Sequence, residues 1–256
     1  MQAYRATVAR TVSDIEAAQR VRHVVYREEE RLLPLEAAAP GRETCARDYE
    51  EGTTHWLVRD GEEPVGTVRL LVPTSGLGLD LAEKVDLRAL QAPGVRLGEV
   101  TRYCVLGSHR RTGVAGALFE ALCAESARLG LTSWVAGANM ATDDPEDAAL
   151  IHRVAAAKGL FAPHIAAPIR PGSAPNPRGR RPFYTEEQRR CEDLARLPLP
   201  PALSLFSRRM GARFLGAPVY DAYFNVFAMP LVAPVPGAIL RLQPAAAPAA
   251  SESESA

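Results

Sequence analysis

An α/β fold is predicted by the order in which two kinds of apolar periodicity alternate along the chain. Segments whose apolar residues recur at every second position, as in strands, are interleaved with segments of helical spacing. One strand segment, residues 99–106, runs through a short glycine-bearing turn directly into a helical segment. With 256 residues, 47% of them hydrophobic, the chain can bury a sizeable core between its sheet and its helices.

The N-terminal residues predict one strand followed by one helix. Residues 4–9 alternate as a strand. Ser13-Asp14-Ile15-Glu16 has the pattern of a capping box, in which a serine and a glutamate satisfy free N–H groups at the start of a helix. The helix is expected to continue to about Arg31 and to stop at Pro34, because proline interrupts the helical hydrogen-bond pattern.

A β-hairpin is predicted after a polar loop at residues 34–52. Residues 55–59 and 65–72 have strand periodicity, and the Asp60-Gly61 pair between them favours a tight hairpin turn. After a second loop, residues 99–106 form the next strand.

The second half of the chain continues the alternation. A helix over residues 113–128 ends at Gly130, and residues 132–138 form an apolar strand. Asp144-Pro145 begins the next helix, with proline at the first helical position, and Gly159 ends it.

All of these elements are predicted to lie in one domain, residues 1–242. Residues 162–201 are rich in proline and arginine and form an insertion before the last two elements, a helix at residues 203–213 and a strand at residues 223–232. Residues 243–256 are mainly alanine, proline, serine and glutamate, which predicts a disordered tail.

Charge and composition argue against several classes of protein. The 30 basic and 30 acidic residues balance, so the sequence does not suggest a nucleic-acid partner. No apolar run has the roughly 18 to 20 residues of a membrane span, and residues 1–10 lack the apolar core of a secretory signal. The four cysteines lie far apart, which predicts reduced thiols, a cytoplasmic protein and no metal site.

The turn that follows residues 99–106 has the character of a phosphate-binding loop. It opens a helix, where unpartnered backbone N–H groups and the positive end of the helix dipole converge. Its glycine lets a bulky anion approach the backbone, and its two arginines can add bidentate phosphate contacts. The alternative is an ordinary strand–turn–helix with a basic turn. The residues of the loop are Arg110, Arg111, Thr112, Gly113, Val114 and Ala115.

This Arg-x-x-Gly-x-Ala spacing resembles the acyl-CoA pyrophosphate loop of the GNAT acyltransferases. The order of elements, and a helix end at Ala157-Lys158-Gly159-Leu160-Phe161 similar to the family's terminal helix, extend the resemblance to about residues 4–235. The resemblance implies a GNAT fold, an α+β arrangement with a central twisted mixed β-sheet flanked by helices. It also implies that residues 110–115 bind the phosphates of the acyl donor.

A second series of residues resembles the acyl-homoserine-lactone synthases and the related long-chain N-acyl amino acid synthases. Those families carry Arg-x-x-x-Phe in the first helix, acids in the next loop, an arginine on a central strand and Glu-x-x-Arg before the phosphate loop. The corresponding residues here are Arg22, Tyr26, Asp48, Arg69, Glu99 and Arg102. Residues 216–225, which contain Tyr-Asp-x-x-Phe, look like the start of the C-terminal strand of the N-acyl amino acid synthases in particular. The donor in these families is usually an acyl-acyl carrier protein.

Glu99, Arg102 and Val105 are the candidate catalytic residues. Glu99 and Arg102 point to opposite faces of a regular strand, so they meet only if a bulge intervenes. GNAT proteins bulge this strand, and the resemblance implies that the Val105 N–H polarises the thioester carbonyl. Glu99 either accepts a proton from the ammonium of the acceptor or forms a structural ion pair. Arg69 and Arg102 either contact the acceptor or, as we favour, form buried ion pairs with Asp48 and Glu99.

Arg22 and the helix that ends at Gly159 complete the site predictions. Arg22 either holds an acceptor carboxylate through its guanidinium fork or forms a salt bridge on the helix surface. Many acetyl-CoA enzymes place a tyrosine about four residues before the terminal glycine, where this chain has Ala155. A thiol with a pKa of about 8.5 can leave without that help, so the absence disfavours only an ordinary acetyltransferase.

Arginine exceeds acidic residues between residues 163 and 216, and this surplus has two interpretations. In the first interpretation, these arginines form a docking face for the acidic surface of acyl carrier protein, with Arg178, Arg180 and Arg181 as outer contacts. In the second, the segment is a solvated loop. Affinity for a docked carrier protein would fall steeply with salt.

Together these features predict a cytoplasmic GNAT-fold N-acyltransferase with no cofactor beyond the phosphopantetheine thioester of its donor. We expect it to move a medium or long acyl chain from acyl carrier protein, or from CoA, to the amine of an amino acid or a similar small acceptor. The alternatives are an acyl-homoserine-lactone autoinducer synthase, an acetyl-CoA-dependent N-acetyltransferase and a non-catalytic acyl-carrier-binding or sensor protein. The sequence does not identify the acceptor, the acyl length or the oligomeric state.

Overall fold

A computed structural model of the chain describes residues 4–33, 41–74, 78–172, 179 and 182–238. Within these residues, eight strands form one sheet with helices on both of its faces. Some of the sequence predictions lie outside the described residues, namely the helix stop at Pro34, the arginines at 178, 180 and 181, and the tail at 243–256.

The chain starts with strand β1 (Ala6–Val8) and helix α1 (Val12–His23), which continues into a π-helical turn at Val24–Glu29. The N-cap of α1 is Thr11, so the predicted capping box at Ser13 is wrong. The Asp14 N–H donates to the Thr11 hydroxyl at 3.1 Å, and the Thr11 N–H donates to the Asp14 carboxylate at 3.2 Å. The capping box therefore forms, but it starts earlier than predicted.

Strands β2 (Thr53–Asp60) and β3 (Glu63–Leu71) form the predicted hairpin. Gly61 lies in the turn with φ +58°, a left-handed conformation that glycine adopts without the steric penalty of a Cβ. The two strands pair along almost their whole length, with one irregularity at Val58–Arg59.

The middle of the chain follows the predicted order closely. Strand β4 (Leu97–Val105) leads into helix α2 (Val114–Arg128), which is followed by strand β5 (Ser133–Asn139). Helix α3 (Pro145–Ala157) has Asp144 as its N-cap, and the Asp144 carboxylate accepts the Glu146 N–H at 2.9 Å. Asp144-Pro145 therefore begins this helix as the sequence predicts.

The proline- and arginine-rich segment leads through the short helix α4 (Glu186–Arg189) to helix α5 (Pro201–Arg209). Strands β6 (Arg213–Phe214), β7 (Val219–Asp221) and β8 (Val226–Pro234) complete the fold. Strands β6 and β7 were not predicted, because segments so short do not establish a periodicity of two.

The strands are ordered β1-β2-β3-β4-β5-β8-β6 in the sheet, and β7 also pairs with β8. Every pair is antiparallel except β4 with β5, so the sheet is mixed. The predicted α/β class, with a mixed sheet between helices, is confirmed.

Strand β2 shows how the helices cover the two faces of the sheet. Leu57 packs with Ala17 and Ala18 of α1, while its neighbours Trp56 and Val58 belong to the larger cluster that contains the buried residues of α2. Because successive residues of a strand point to opposite faces, α1 and α2 lie on opposite sides of the sheet. No helix within the described residues has the length and apolarity needed to cross a bilayer.

Candidate active site

The two parallel strands at the centre of the sheet separate at their C-terminal ends. Strand β4 pairs with β5 only over residues 97–99, whereas β5 stays paired with β8 as far as Asn139. A V-shaped gap therefore opens between β5 and residues 100–105 of β4. Because backbone polar groups inside a protein need partners, those that face this gap are available to a ligand.

A bulge bends β4 where the gap begins. Thr67 of β3 lies opposite Cys104, and Arg69 lies opposite Thr101, so one residue of β3 faces two residues of β4. Arg102 lies in the bulge with φ +56°, a left-handed conformation that costs a non-glycine residue about 1 kcal/mol or more. The bulge anticipated from the sequence is therefore present in this strand.

Val105 lies beyond the bulge and directs its backbone into the gap. The next N–H, that of Leu106, donates to the Val65 carbonyl of β3 at 3.0 Å. Since N–H directions alternate along a strand, the Val105 N–H points away from β3. The Val105 carbonyl, on the same side, accepts Arg110 Nε at 3.2 Å. The Val105 N–H is thus directed at the position that a ligand in the gap would occupy.

The turn after β4 presents free N–H groups at the start of α2. Gly113 is the N-cap of this helix with φ +108°, and Arg111 is also left-handed with φ +75°. The Ala117 N–H makes the first helical bond, to the Gly113 carbonyl at 3.0 Å. The N–H groups of residues 114–116 therefore have no partner in the helix, and together with the helix dipole they have the geometry that suits an anion.

The turn requires glycine at position 113 because of its backbone conformation. A Cβ built on Gly113 would contact only Tyr4, at 3.8 Å, so the surrounding protein leaves room for a side chain. The φ of +108° is one that other residues rarely adopt, so a substitution would strain the turn. The Thr112 hydroxyl, which donates to the His109 carbonyl at 2.7 Å, helps to close the same turn.

A cavity of about 530 Å³ fills the gap and extends to this turn; we call it the larger cavity. Arg110, Arg111 and Ala115 form its end at the turn. The rest of its wall is mainly apolar and comes from β4, β5, α5 and the π-helical turn; the apolar residues include Val25, Val100, Tyr103, Val105, Ala138, Leu205 and Phe206. The cavity joins the turn at residues 110–115 to an apolar chamber, and an acylated phosphopantetheine likewise has an anionic part and an apolar part.

The two arginines of the turn differ in their partners. Arg110 Nη2 lies 2.8 Å from a Glu29 oxygen and 3.1 Å from a Glu30 oxygen at the end of the π-helical turn. Glu29 also accepts the Gly107 N–H at 2.8 Å, which ties the loop to that turn. Arg111 forms no ion pair with any residue that the structure describes. Arg111 is therefore the loop arginine whose charge is available to a phosphate.

A second cavity of about 90 Å³, the smaller cavity, adjoins the first. Residues that line both cavities lie around the bulge and on β5; they are Tyr26, Thr101, Arg102, Gly137 and Asn139. The charged side chains of the smaller cavity are those of Asp80, Lys84, Glu99, Arg102 and Asp221. A polar chamber therefore meets the apolar one at the gap in the sheet.

Glu99 is a carboxyl group of the smaller cavity whose pKa is shifted to near neutrality. Its Oε1 accepts the Leu81 N–H at 3.1 Å, and its Oε2 is buried without a hydrogen-bond partner among the described residues. Burial, and secondly the charge of Asp80, raise the pKa of Glu99 to about 7. A carboxyl group with this pKa can exchange a proton near neutral pH, as a general base must.

The predicted ion pair between Arg102 and Glu99 is wrong. Arg102 Nε lies 3.2 Å from Glu43, and the guanidinium lies over the rings of Phe224 and Tyr223, 5.1 and 5.5 Å from their centroids. The bulge turns the Arg102 side chain toward Glu43, and Glu99 forms no ion pair with any residue in the described part of the chain. Both residues line the smaller cavity, so the structure brings them to one site without pairing them.

Arg22 lies at the centre of a buried ion cluster. Its Nη1 and Nη2 bond to Asp48 at 2.9 and 2.6 Å, and its Nε lies 2.6 Å from Glu43. Arg22, Asp48 and Glu43 have side chains with 0% exposure, so both predictions for Arg22, acceptor contact and surface salt bridge, are wrong. Arg69 extends the cluster: it pairs with Asp48 at 3.4 Å, as predicted, and with Asp80 at 2.8 Å.

Several residues of the site carry no recognisable motif in the sequence. Glu43 and Asp80 lie in loops, Lys84 follows a short 3₁₀ turn, and Tyr223 precedes the last strand; their positions became apparent only from the fold. The one available signal was the Tyr-Asp-x-x-Phe stretch, which contains both Asp221 and Tyr223. Within the described part of the chain, no group of three or more histidine, cysteine or acidic residues is placed to hold a metal ion.

Comparison with protein families gives one match. The model of the FeeM N-acyl amino acid synthases matches residues 17–142, about half of the chain. This stretch runs from α1 through β5 and includes the buried ion cluster, Glu99 and the turn at residues 110–115. No curated protein sequence is significantly similar to the chain.

Comparison with solved structures supports the fold assignment. FeeM, an N-acyl amino acid synthase from uncultured soil microbes, is 13% identical, with a TM-score of 0.52 over 91% of this chain and 92% of that chain. The CoA-dependent acyl-homoserine lactone synthase BjaI is 17% identical, with a TM-score of 0.46 over 91% and 83%. An aminoglycoside 6′-N-acetyltransferase is 10% identical, with a TM-score of 0.45 over 90% and 97%. The similarity to FeeM confirms the predicted GNAT-type fold.

Proposed function

We propose that the chain, whose residues 17–142 match the model of the FeeM N-acyl amino acid synthases, is a GNAT-fold N-acyltransferase that joins an acyl group to the amine of an amino acid or a similar small acceptor. The acyl group is a medium or long chain, carried as a phosphopantetheine thioester on acyl carrier protein; acyl-CoA is the alternative donor. No other cofactor is required by this reaction.

One observation carries the proposal: the larger and smaller cavities meet beside the bulge of β4. The larger one combines the turn at residues 110–115 with an apolar chamber, which suits the phosphate and the acyl chain of a donor. The smaller one is polar and holds a carboxyl group, Glu99, with a pKa of about 7, which suits an amine acceptor. Where the two cavities meet, the amine of the acceptor would lie next to the thioester of the donor.

The residues around the junction have distinct roles in this proposal. Residues 110–115 hold the donor's phosphate, and the Val105 N–H donates to the thioester oxygen as negative charge develops on it. Glu99 takes a proton from the acceptor's ammonium, directly or through a water, because only the neutral amine can attack. Arg102 is a positioning residue, since Glu43 and two aromatic rings fix its guanidinium.

The proton and electron balance of this transfer is simple. The amine nitrogen forms a bond to the thioester carbon, the C–S bond breaks, and the sulfur leaves as thiolate. The thiolate then takes up the proton that the nitrogen loses as the amide forms, and Glu99 releases the ammonium's first proton to solvent, which regenerates the base. A thiol of ordinary pKa leaves readily, so no tyrosine is needed at Ala155, which is fully buried in the core.

The Tyr-Asp-x-x-Phe stretch at residues 220–224 argues against the autoinducer-synthase alternative. It resembles the start of the C-terminal strand of the N-acyl amino acid synthases and is not typical of the homoserine-lactone branch. The proposal therefore favours N-acyl amino acid formation over formation of an acyl-homoserine lactone.

A product analysis tests the proposed function. The full chain would be incubated with the proteinogenic amino acids as a pool, and with decanoyl-acyl carrier protein or decanoyl-CoA as donor. We expect mass spectrometry to detect an N-decanoyl amino acid that depends on the protein. Donor binding without any amide product would instead identify a non-catalytic acyl-carrier-binding protein.

We expect Gly116→Glu to weaken donor binding at least about tenfold, while Gly116→Gln has little effect. Gly116 lies in the first turn of α2, and a Cβ there would meet no atom within 4 Å. An acid in the first turn favours the helix but repels a bound phosphate, so the fold is retained. Calorimetry with CoA and with acyl carrier protein measures the effect. Equal affinities for the two variants would mean that phosphate binds elsewhere.

Replacing Arg178, Arg180 and Arg181 together by serine distinguishes the two donors. These arginines lie outside the described residues, so this prediction rests on their charge in the sequence. We expect a higher KM for acyl-acyl carrier protein, chiefly through slower association at low salt, and almost no change with acyl-CoA. Equal losses with both donors, or no loss with either, would favour a CoA enzyme.

A further inference from the structure

Lys84 is a cation of the smaller cavity that the buried ion cluster does not use. Its Nζ bonds to Asp221 Oδ2, its one hydrogen-bond partner among the residues described here. The other oxygen of Asp221 accepts the Tyr223 N–H at 3.0 Å and the Phe224 N–H at 3.4 Å. Asp221 is therefore fixed by the turn after β7, and in turn it holds Lys84 at the cavity wall.

The arginines nearest to this cavity are already committed to other groups. Arg102 is occupied by Glu43 and two aromatic rings. Arg69 Nε donates to the Thr101 hydroxyl at 2.8 Å, and its other nitrogens bind Asp48 and Asp80. Both guanidinium groups therefore serve mainly to connect parts of the protein.

Lys84, unlike Arg69 and Arg102, has N–H donors that its partner does not occupy. Its side chain is 34% exposed, and Asp221 engages only one side of the ammonium group. A lysine ammonium carries several N–H donors, so Lys84 can bind a second carboxylate without giving up the first.

We infer that Lys84 binds the carboxylate of the acceptor and so selects amino acids over amines that lack a carboxylate. This inference rests on the proposed function and deepens it. Lys84 and Glu99 line the same small cavity, so the two charged ends of one amino acid meet groups that suit them. The ammonium lies toward Glu99, at the junction with the donor, and the carboxylate lies toward Lys84.

A comparison of acids with amides tests this role. The full chain and Lys84→Met would be assayed with the proteinogenic amino acids and with the carboxamides of the same amino acids. We expect Lys84→Met to raise KM for the preferred amino acid about tenfold to a hundredfold with little change in kcat. The kcat/KM for its carboxamide should change by less than about twofold, because the carboxamide offers no charge to Lys84. Comparing variants on one acceptor cancels the different amine pKa values of acids and amides.

Two matched variants accompany this experiment. Lys84→Arg keeps the cation and should restore part of the discrimination between acid and amide. Lys158→Met removes the only other lysine of the chain, which lies at the end of α3 and bonds to the Ala195 carbonyl. This variant should leave kcat/KM unchanged for both the acid and the carboxamide. Thermal melts would show that each variant is folded.

Chemical modification provides a readout that does not need turnover. Because the chain contains only two lysines, mass spectrometry can follow reductive methylation of each one separately. We expect N-decanoylglycine, which carries a carboxylate but no reactive amine, to protect Lys84 but not Lys158. Its carboxamide should protect neither lysine.

The possible outcomes separate this inference from the proposed function. Equal losses of acid and amide in Lys84→Met would mean that Lys84 acts only by holding Asp221, which overturns the inference but not N-acyl transfer. If the wild type acylates no amine, the proposed function fails, and the methylation experiment still decides the role of Lys84. Protection that is absent, or equal for acid and carboxamide, would then overturn the inference.

Discussion

Replacing Glu99 by glutamine is expected to slow acyl transfer at least about a hundredfold while leaving the protein folded. Glutamine keeps the size of the side chain and can still accept the Leu81 N–H, but it cannot take a proton from the acceptor. Steady-state kinetics with saturating donor and a varied acceptor measure the loss. Glu83→Gln provides a matched control, because Glu83 lies in the same 3₁₀ turn as Leu81 but faces solvent and pairs with Arg47.

The pH dependence of this loss distinguishes a base from a structural carboxylate. With a pKa of about 7, Glu99 is protonated in acid and ionised above neutrality, so wild-type kcat/KM should rise through pH 7. The glutamine variant should lack this limb and improve only as the acceptor amine loses its own proton. The difference between the two proteins should therefore shrink at high pH. A deficit that stays the same at every pH would indicate that Glu99 only supports the cavity.

The free energy of unfolding of the wild type should fall as pH rises toward 7, whereas its activity should rise. Burial raises the pKa of Glu99 above its unfolded value, so the native protein loses stability as pH rises from about 4.5 to 7. That loss amounts to at most about 3 kcal/mol, and the glutamine variant avoids it. We therefore expect Glu99→Gln to unfold at a higher denaturant concentration than the wild type at pH 8, with less advantage at pH 5. If Glu99 were mainly a stabilising ion-pair partner, the variant would be the less stable protein at pH 8.

The sequence predicts the order of elements well, because each element has its own local pattern. The capping box shows the limit of such patterns. Thr11-Val-Ser-Asp14 and Ser13-Asp-Ile-Glu16 overlap and satisfy nearly the same rule, so local chemistry alone does not choose between them. The structure uses the first, with Thr11 as the N-cap and Asp14 as its reciprocal partner.

Some residues of the candidate site can be identified from the local sequence, whereas others are brought there only by long-range contacts. The turn at residues 110–115 and Glu99 lie within one strand–turn–helix segment, so both could be proposed as site residues from the local sequence. The partner of Arg102 could not be predicted in this way, because Glu43 lies far away in the sequence, in a loop without periodicity. Contacts of this kind depend on how the chain folds back and leave no local signature.

One site feature could have been predicted but was not. Arg22 follows Ala18 by one helical turn and precedes Val25 by almost one, so it lies on the apolar face of α1. That spacing argues for a buried arginine, which requires buried acidic partners. Interpreting Arg22 as a surface residue or an acceptor contact neglected its place in the apolar pattern.

Removing Asp48 is expected to destabilise the protein by about 3 to 5 kcal/mol, the largest stability effect that we predict. Asp48→Ala leaves the buried guanidinium of Arg22 without its bidentate partner and removes one partner of Arg69. Equilibrium unfolding in urea measures the change. Glu125→Ala is the control, because Glu125 belongs to a helix-surface pair with Arg128, whose loss should cost less than about 1 kcal/mol.

The pH dependence of unfolding provides an independent test of the same cluster. Burial opposes ionisation of Asp48, but hydrogen bonds from Arg22 and Gln19 and the charge of Arg22 outweigh it and lower the pKa of Asp48 to about 2. Its ionised form therefore contributes about 2 kcal/mol of stability above pH 4, which is lost as pH falls toward 2. Asp48→Asn should lack this part of the acid transition.

A double variant, Arg22→Met with Asp48→Leu, should be less destabilised than the sum of the two single changes, because it leaves no unpaired charge between these two positions. Strict additivity would mean that Arg22 and Asp48 stabilise the fold independently of each other.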